Sequence, residues 1–500
     1  MRRADASLLI SRDERFSGRL DHYVHRGMAI WMGLHFVLVL SHLILDGRLV
    51  VFLAHLAMLA MAAVILVRSR DCIETIIFSH VFWMFSAMTY LNATLNGQVA
   101  TTGLINAERV AMIALISQLG LFVAHYFSPR RPALAALSPY QRASAIDRSQ
   151  VTILTIASIG VAGLVLQWAG VLPTAYSESM MLFLYLAIGA SILGQGRLRL
   201  TDPLIMVSVF LILITVAGSN SRTDLISFVI ALAFVWVMVK ARPFNFLALA
   251  LGYVALRLLS AFSSVIISVR PFREEPALMR ELFMERFFSI ETWRVLTRPT
   301  YEHAADELHR GTKTTHTGFF SDFFNGAEAE MLDRLTLLPR MDIVTGRWPQ
   351  GSEVRWHDLW EQLFWTVLPN IGQTKNLIYS DHVVWDLGLR ARDSVGRPMI
   401  TAEAELYVMG GLPAVILVIP LCFWIMNQVY RWIVRMTGSR VMAILVMSQF
   451  FINSVLSTTA LSTVLGTVRF PLQVAVLLAL VFMIRESKIL PRLREGPRHA

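Results

Sequence analysis

The sequence contains few cysteines and few charged residues. Only two cysteines, Cys72 and Cys422, occur in 500 residues, and both fall in or beside apolar segments, so neither a disulfide framework nor a Cys/His metal site is indicated. Charged residues make up 16% and hydrophobic residues 55% of the chain, whereas an ordinary soluble domain is roughly 25% charged. This balance excludes a soluble globular protein and predicts a polytopic membrane protein.

A cleavable signal peptide is not apparent at the start of the chain. Residues 1–26 are polar and basic, and the first apolar run, Met28 to Leu45, is followed by Asp-Gly-Arg rather than by a small-residue cleavage site. We therefore expect this run to be the first membrane anchor.

Apolar runs of transmembrane length recur along most of the sequence. Twelve are predicted as spans, at residues 28–45, 49–67, 75–95, 104–127, 151–168, 178–194, 203–218, 224–239, 244–269, 403–426, 441–458 and 464–484. The sixth to eighth are short, and ten spans is the alternative, because removing the sixth and seventh together leaves the orientation unchanged. The predicted fold is an all-α membrane protein.

The positive charges separate the two sides of the predicted membrane. The chain has a net charge of +10, but residues 270–402 carry 16 Lys/Arg and 19 Asp/Glu, a net charge of −3, which leaves +13 elsewhere. That excess lies at both termini and in alternate connections, so the positive-inside rule makes both termini cytoplasmic and argues against nucleic acid as a partner. The prediction is spans 1–9 in residues 1–269, a large external or periplasmic loop at 270–402, spans 10–12 in 403–484, and a basic tail at 485–500.

Five arginines do not follow this sorting. Arg48 lies in a tight external turn and is expected to extend its charged end to the membrane surface. The other four lie within a predicted span or at its outer edge, where an unpaired charge costs several kcal/mol. They are Arg109, Arg222, Arg257 and Arg469. Each singly fits a structural ion pair, with Glu108, Glu403 or Glu405 as the partner for Arg109 or Arg257, but the four together favour a binding site.

The large loop shows helical patterns but no familiar catalytic motif. Amphipathic helices are predicted at 352–367, with apolar side chains such as Trp356, Trp360 and Phe364 on one face, and at 273–296. Residues 311–350 are assigned no structure. The loop contains no GxGxxG, Walker, HExxH or DxD motif, so nucleotide-sugar and ATP chemistry are not supported. Glu403 and Glu405, spaced i, i+2, diverge on a helix and do not predict a metal clamp.

The layout of the whole chain resembles a known family. About twelve spans, one large external loop between spans 9 and 10, Arg222 in the run Gly-Ser-Asn-Ser-Arg-Thr, and the run Glu-Ala-Glu-Leu-Tyr-Val-Met-Gly-Gly at 403–411 are similar to the Wzy-type O-antigen and exopolysaccharide polymerases. The related O-antigen ligases share this plan, but they commonly place Pro-His-Asn before span 10, where this chain has Pro398-Met399-Ile400.

The resemblance implies a GT-C-like membrane glycosyltransferase in the bacterial inner membrane, without a cofactor or metal. It would transfer a growing glycan from a polyprenyl diphosphate onto a lipid-linked repeat unit at the periplasmic face, with membrane lipids, a chain-length regulator and a flippase as further partners. Arginine forks stabilise the departing diphosphate in such a reaction, and an acidic or histidine side chain serves as general base. The diphosphate-binding candidates are Arg222, Arg257, Arg270, Arg273 and Arg469, and the catalytic candidates are Glu405, His382, Asp381 and Glu403.

Three other functions stay open at this stage. A ligase would perform the same chemistry on another acceptor. A transporter or flippase predicts inverted repeats and broken helices in matching halves, and no repeat is found in the sequence. A scaffolding membrane protein gives no reason for the arginines that do not follow the sorting.

Overall fold

The computed structural model shows only helices in the part of the chain that it describes. It describes residues 3–95, 97–129, 133–142, 144–146, 149, 153, 157, 161, 175–197, 205–208, 210, 222–240, 265, 269, 275–289, 337–346, 360–361, 364, 400–455 and 463–486, and no strand occurs among them. The helices are α1 (Arg3–Asp46), α2 (Leu49–Arg68), α3 (Cys72–Val81), the π-helix π1 (Phe82–Ala87), α4 (Met88–Leu95), α5 (Ala107–Phe127), a short 3-10 turn (Ala133–Ala136), α6 (Ala175–Gln195), α7 (Arg222–Lys240), α8 (Pro276–Phe287), α9 (Leu338–Gly346), α10 (Ala402–Thr437), α11 (Arg440–Val455), π2 (Leu465–Arg469) and α12 (Phe470–Glu486).

Several predicted spans coincide with these helices. Among the described residues, five helical stretches are long and apolar enough to cross a membrane: Ser7–Asp46, Leu49–Arg68, Cys72–Leu95, Ala107–Phe127 and Ala402–Thr437. Shorter apolar helices lie at Leu184–Gln195, Ile230–Lys240 and Thr467–Leu480. The runs predicted at 151–168 and 244–269 fall almost entirely outside the described residues. An all-α membrane protein is therefore supported, whereas the number of spans stays a prediction.

Helix α1 begins well before the predicted anchor, and one face of its basic first half packs against the rest of the protein. Arg12 donates to the carbonyls of Leu193 and Gly194 at 2.9 and 2.5 Å, and Arg19 donates to those of Met238 and Val239 at 3.3 and 3.2 Å. These carbonyls belong to the last turns of α6 and α7, where an arginine satisfies unpaired acceptors and complements the helix dipole. The N-terminal arginines, which were counted only as topology signals, thus also cap two helices.

A network of buried charges ties several helix ends together at the end of the bundle where Arg440 lies, hereafter the Arg440 pole. Arg440 donates to Asp21 of α1 at 2.8 and 2.9 Å and pairs with Asp71, which precedes α3, at 2.9 Å. Asp13 of α1 is fully buried and accepts from Arg142 at 2.9 Å and from the backbone N–H groups of Arg440 and Val441 at 3.2 and 3.1 Å. The network joins α1, α3 and α11 at one end of the bundle.

Helix π1 interrupts the helix formed by α3 and α4 and aligns polar side chains in the interior. The Ser86 hydroxyl lies 2.9 Å from His35 Nε2 of α1 and 2.9 Å from His55 Nδ1 of α2. The Tyr90 ring meets the rings of both histidines edge-on, with centroids 5.2 and 5.1 Å apart. Because Gln118 of α5 bonds the Phe82 N–H at 3.0 Å, a side chain compensates for the altered backbone pairing of the π-turn.

The large loop differs from its predicted structure in two places. Within the predicted helix at 273–296, residues 275–289 are described, and α8 occupies Pro276–Phe287 of them. Residues 338–346, which were assigned no structure, form the buried helix α9. Of the predicted helix at 352–367, residues 360, 361 and 364 are described and helical, with Trp360 and Phe364 exposed.

Candidate functional site at the head of helix α10

The first nine residues of α10 form a separate segment, the head segment (residues 402–410). Thr401 caps it, because its hydroxyl accepts from the Ala404 N–H at 3.1 Å. It ends at Gly411, whose φ of 66° and ψ of −163° break the helix and are accessible to glycine but strained for other residues. The Gly-Gly pair at 410–411 therefore marks a break in the backbone, and the apolar remainder of α10 starts after it.

Two glutamates are enclosed in the head segment. Glu403 and Glu405 are both 0% exposed, as are their neighbours Ala404 and Leu406. By contrast, the part of α10 after the break leaves Ile416, Leu417 and Leu421 exposed, as expected of a surface that contacts lipid tails. The head segment is thus surrounded by protein and not by lipid.

The carboxylate of Glu403 is buried without a hydrogen bond. Neither of its oxygens has a partner among the residues that the structure describes. Burying a carboxylate in this way costs several kcal/mol, and buried ionisable residues in membrane proteins usually mark functional sites. Because Glu403 and Glu405 are two positions apart, their side chains diverge by about 200° around the helix, and each faces a different neighbour.

Helix α9 brings the large loop into the helix bundle. Its side chains Leu338, Met341 and Val344 are at most 1% exposed, and α9 packs against α5, π1 and α10. The Leu337 N–H, just before α9, lies 3.5 Å from the Met84 carbonyl of π1. The loop therefore enters the protein interior and does not only cover it from outside, which corrects the expectation of an unstructured segment here.

Reciprocal hydrogen bonds between polar groups hold α9 against α5. The Asp342 carboxylate of α9 accepts from the backbone N–H groups of Ile105 and, at 2.8 Å, Asn106, which precede α5. In return, Arg109 in the first turn of α5 donates to the Thr345 carbonyl near the end of α9 at 2.8 Å. Burial raises the pKa of Asp342, and the two backbone bonds and the charge of Arg109 oppose that rise.

The packing of α5 on α10 places the hydrogen bonds of Asp342 and Arg109 at the level of the head segment. A Cβ atom at Gly120 of α5 would collide with Pro420 of α10. Further along, His125 bonds Ser69 at 2.9 Å and Tyr430 bonds nearby Asp71 at 2.6 Å. The two helices therefore run parallel. Asn106 lies 14 residues before Gly120, which is about 21 Å along the helix axis at 1.5 Å per residue. Asn106 is therefore at the level of the first turns of α10.

Two of the predicted arginines, Arg109 and Arg469, lie in helices that the structure describes. Arg109 donates to the Thr345 carbonyl of α9 at 2.8 Å, a structural contact of another kind than the predicted ion pair with a glutamate. Arg469 ends π2, where Thr467 is hydrogen-bonded to Cys422. Cys422 lies about 16 Å along the helix axis from Gly411, which places the backbone of Arg469 beside the middle of α10.

The remaining candidates are not brought together in the described part of the structure. Arg222 is the first residue of α7, not part of a turn, and its side chain lies outside the described residues. The other candidates lie entirely outside them: Arg257, Arg270, Arg273, Asp381 and His382. Of the predicted site residues, Glu403 and Glu405 therefore lie in the same enclosed segment, the head of α10.

Sequence reasoning missed Asp342 and Thr345, although a signal for α9 exists. Leu338, Met341, Asp342 and Thr345 follow the i, i+3, i+4, i+7 spacing of one helix face, Pro339 stands at the start and Gly346 at the end. This pattern covers only about two turns and places an aspartate on the buried face, so it does not stand out from an irregular loop.

One group has the geometry of a metal site. Oxygens of Asp21 and Asp71 and the sulfur of Cys72 lie within 4.8 Å of one another. Both carboxylates are acceptors of Arg440, which already supplies the positive charge there, so this group is assigned to the charge network of the Arg440 pole. Comparison with known proteins gives no match to a family model, a curated protein or a solved structure.

Proposed function

We propose that the protein is a polysaccharide polymerase of the Wzy type, a membrane glycosyltransferase that uses a polyprenyl-diphosphate-linked glycan. The observation that carries the proposal is the buried Glu403 carboxylate, free of hydrogen bonds within the described residues and enclosed in the head segment of α10. The Glu-Ala-Glu-Leu-Tyr run that resembles the polymerases is the same segment. In this proposal the head of α10 faces the periplasm of a bacterial inner membrane.

Glu403 acts as the general base in the proposed reaction. An acceptor hydroxyl of a lipid-linked repeat unit attacks the anomeric carbon of the donor glycan, the bond from that carbon to the diphosphate breaks, and the hydroxyl proton passes to the carboxylate. Since neither oxygen has a partner among the described residues, both are available for the acceptor in the proposal. Glu405, one position beyond Ala404, is placed to hold the head segment or a second substrate group.

The departing diphosphate requires positive charge. Arg222 and Arg257 carry this role in the proposal, with Arg469 as a further candidate. Arg270 and Arg273, at the entry of the loop, assist them. These assignments follow from the resemblance and from the position of the arginines in the sequence.

Replacing Glu403 with Gln tests the proposed base. The variant keeps the size of the side chain but removes the proton-accepting charge, so we expect long polysaccharide to fall at least 100-fold, in the range that a general base contributes. The measurement is a gel of lipid-linked glycans, on which single repeat units replace the ladder. Glu281→Gln, the same change at an exposed glutamate of α8, is the matched control and should leave the ladder intact; a normal ladder in Glu403→Gln contradicts the proposal.

The glycans that accumulate when the protein is absent separate the polymerase from its alternatives. Loss of a polymerase leaves single repeat units on the lipid carrier outside the cytoplasm. Loss of a ligase leaves lipid-linked polymer of normal length, and loss of a flippase leaves repeat units on the cytoplasmic side. Mass spectrometry of the lipid-linked glycans distinguishes the ligase from the other two, and the accessibility of the single repeat units to a membrane-impermeant oxidant distinguishes the polymerase from the flippase.

A further inference from the structure

We propose that Asp342 and Arg109 are positioning residues, which hold helix α9 against the head segment and so keep Glu403 in its reactive place. The inference rests on the proposed function, since it assigns a role in the same site. It assigns a part in that function to two residues that do not contact substrate in the proposal. They are 233 positions apart in the sequence.

The contacts of α9 make it dependent on this pair. Its apolar side chains Leu338, Met341 and Val344 pack into the bundle, but apolar contacts alone tolerate sliding by a turn. Asp342 and Arg109 remove that freedom, because each binds the end of the opposite helix: the carboxylate meets N–H groups before α5, and the guanidinium meets a carbonyl at the end of α9. Charged partners at these ends also match the helix dipoles.

Helix α9 is in a position to determine the surroundings of the glutamates. It packs against both α5 and α10, and its Asp342 lies at the level of the first turns of α10. Since Glu403 is completely buried, part of its cover must come from the elements packed around the head segment, and α9 is one of them. A displacement of α9 would therefore admit water or shift the glutamate.

The first part of the test measures activity in the Asp342→Asn variant of the full chain in native membranes. An asparagine amide accepts from one of the two backbone N–H groups but presents its own N–H group to the other. We expect polymer formation per amount of membrane protein to fall at least tenfold. Arg48→Gln is the control and should retain its activity, because Arg48 is half-exposed, lies at the same end of the bundle as α9, and pairs with neighbouring Asp46 at 3.7 Å.

The second part restores the position of α9 by a covalent bond. A Cβ atom at Gly346 would lie 3.2 Å from the Cβ atom of Ile105, and a disulfide needs about 3.5–4.5 Å, so Ile105→Cys with Gly346→Cys forms one after a small relaxation. With an added thiol oxidant, which accepts the two electrons, isolated membranes of the triple variant carrying Asp342→Asn should recover activity at least fivefold. A thiol reductant should then reverse the recovery.

The outcomes separate positioning from folding and from the proposed function. If Asp342 served only folding, the variant would lose protein from the membrane, and oxidation after isolation would restore nothing; that result overturns the inference. Absence of the cross-link in the double-cysteine variant that keeps Asp342 also overturns it, because α9 is then not held at α5. The cross-link is detected on a protein gel and needs no activity measurement. A normal ladder in Glu403→Gln would therefore contradict the proposed function, while the docking of α9 could still be measured.

Discussion

Single residues set the shape of the candidate site. Gly411 separates the buried head segment from the lipid-facing part of α10, because its φ of 66° and ψ of −163° are strained for every residue with a Cβ atom. The Gly-Gly run could be recognised in the sequence, but its backbone conformation could not, since glycine also occurs in ordinary membrane helices. The break leaves Glu403 and Glu405 on a short helical segment of their own, before the lipid-facing part of α10.

Replacing Gly411 with Ala should destabilise the protein by about 1–3 kcal/mol, the usual size of such backbone strain. Thermal unfolding of the protein in detergent measures the change. Gly18→Ala is the matched control, since Gly18 lies within helix α1 with nothing within 4 Å of its Cβ position, and there alanine should stabilise by up to about 1 kcal/mol. Equal effects of the two substitutions would contradict the strain at Gly411.

At the scale of elements, the π-helix and α9 differ from what periodicity predicts. The run 75–95 was predicted as one span, and its ends agree with α3 and α4. Helix π1 within it was not predicted, because a single extra residue per turn leaves no mark in an apolar sequence. It brings Ser86 between His35 and His55, an arrangement that depends on three helices and not on one.

Replacing Ser86 with Ala should therefore destabilise the packing of α1, α2 and π1. The hydroxyl is the recorded partner of one nitrogen on each histidine, and its loss leaves buried polar atoms unsatisfied at about 1–3 kcal/mol. The melting temperature in detergent reports the effect. Ser41→Ala, at an exposed serine that bonds only the Leu38 carbonyl of its own helix, should change the melting temperature little; a similar drop in both would count against the Ser86 cluster.

At the scale of the whole molecule, the two ends of the bundle are held by different means. The Arg440 pole is joined by buried ion pairs among α1, α3, α10 and α11, including Arg431 with Glu74 at 2.6 Å. The opposite end is held by α9 and by contacts such as Thr101 with Asp46. Buried ion pairs therefore join the helices at one end, whereas a helix of the large loop packs between them at the other.

Replacing Asp13 with Ala should unfold the Arg440 pole. Asp13 is fully buried and binds Arg142, Ser439 and the start of α11, and removing one partner of a buried pair costs about 3–5 kcal/mol. Glu14→Gln is the control, because Glu14 binds the same Arg142 but is 63% exposed, so its loss should cost about 0–1 kcal/mol. The difference appears as a lower melting temperature and faster proteolysis of the Asp13 variant.

The sequence by itself determined where most of the described helices lie, because a segment inside a membrane must satisfy its backbone hydrogen bonds internally and keep an apolar surface. It also indicated Glu403 and Glu405 as candidates. Only the tertiary structure decided which polar groups meet: Arg109 with Thr345, Asp342 with the start of α5, and Arg469 beside the middle of α10. These pairings join positions far apart in the chain, and their geometry depends on helix packing, which local periodicity does not encode.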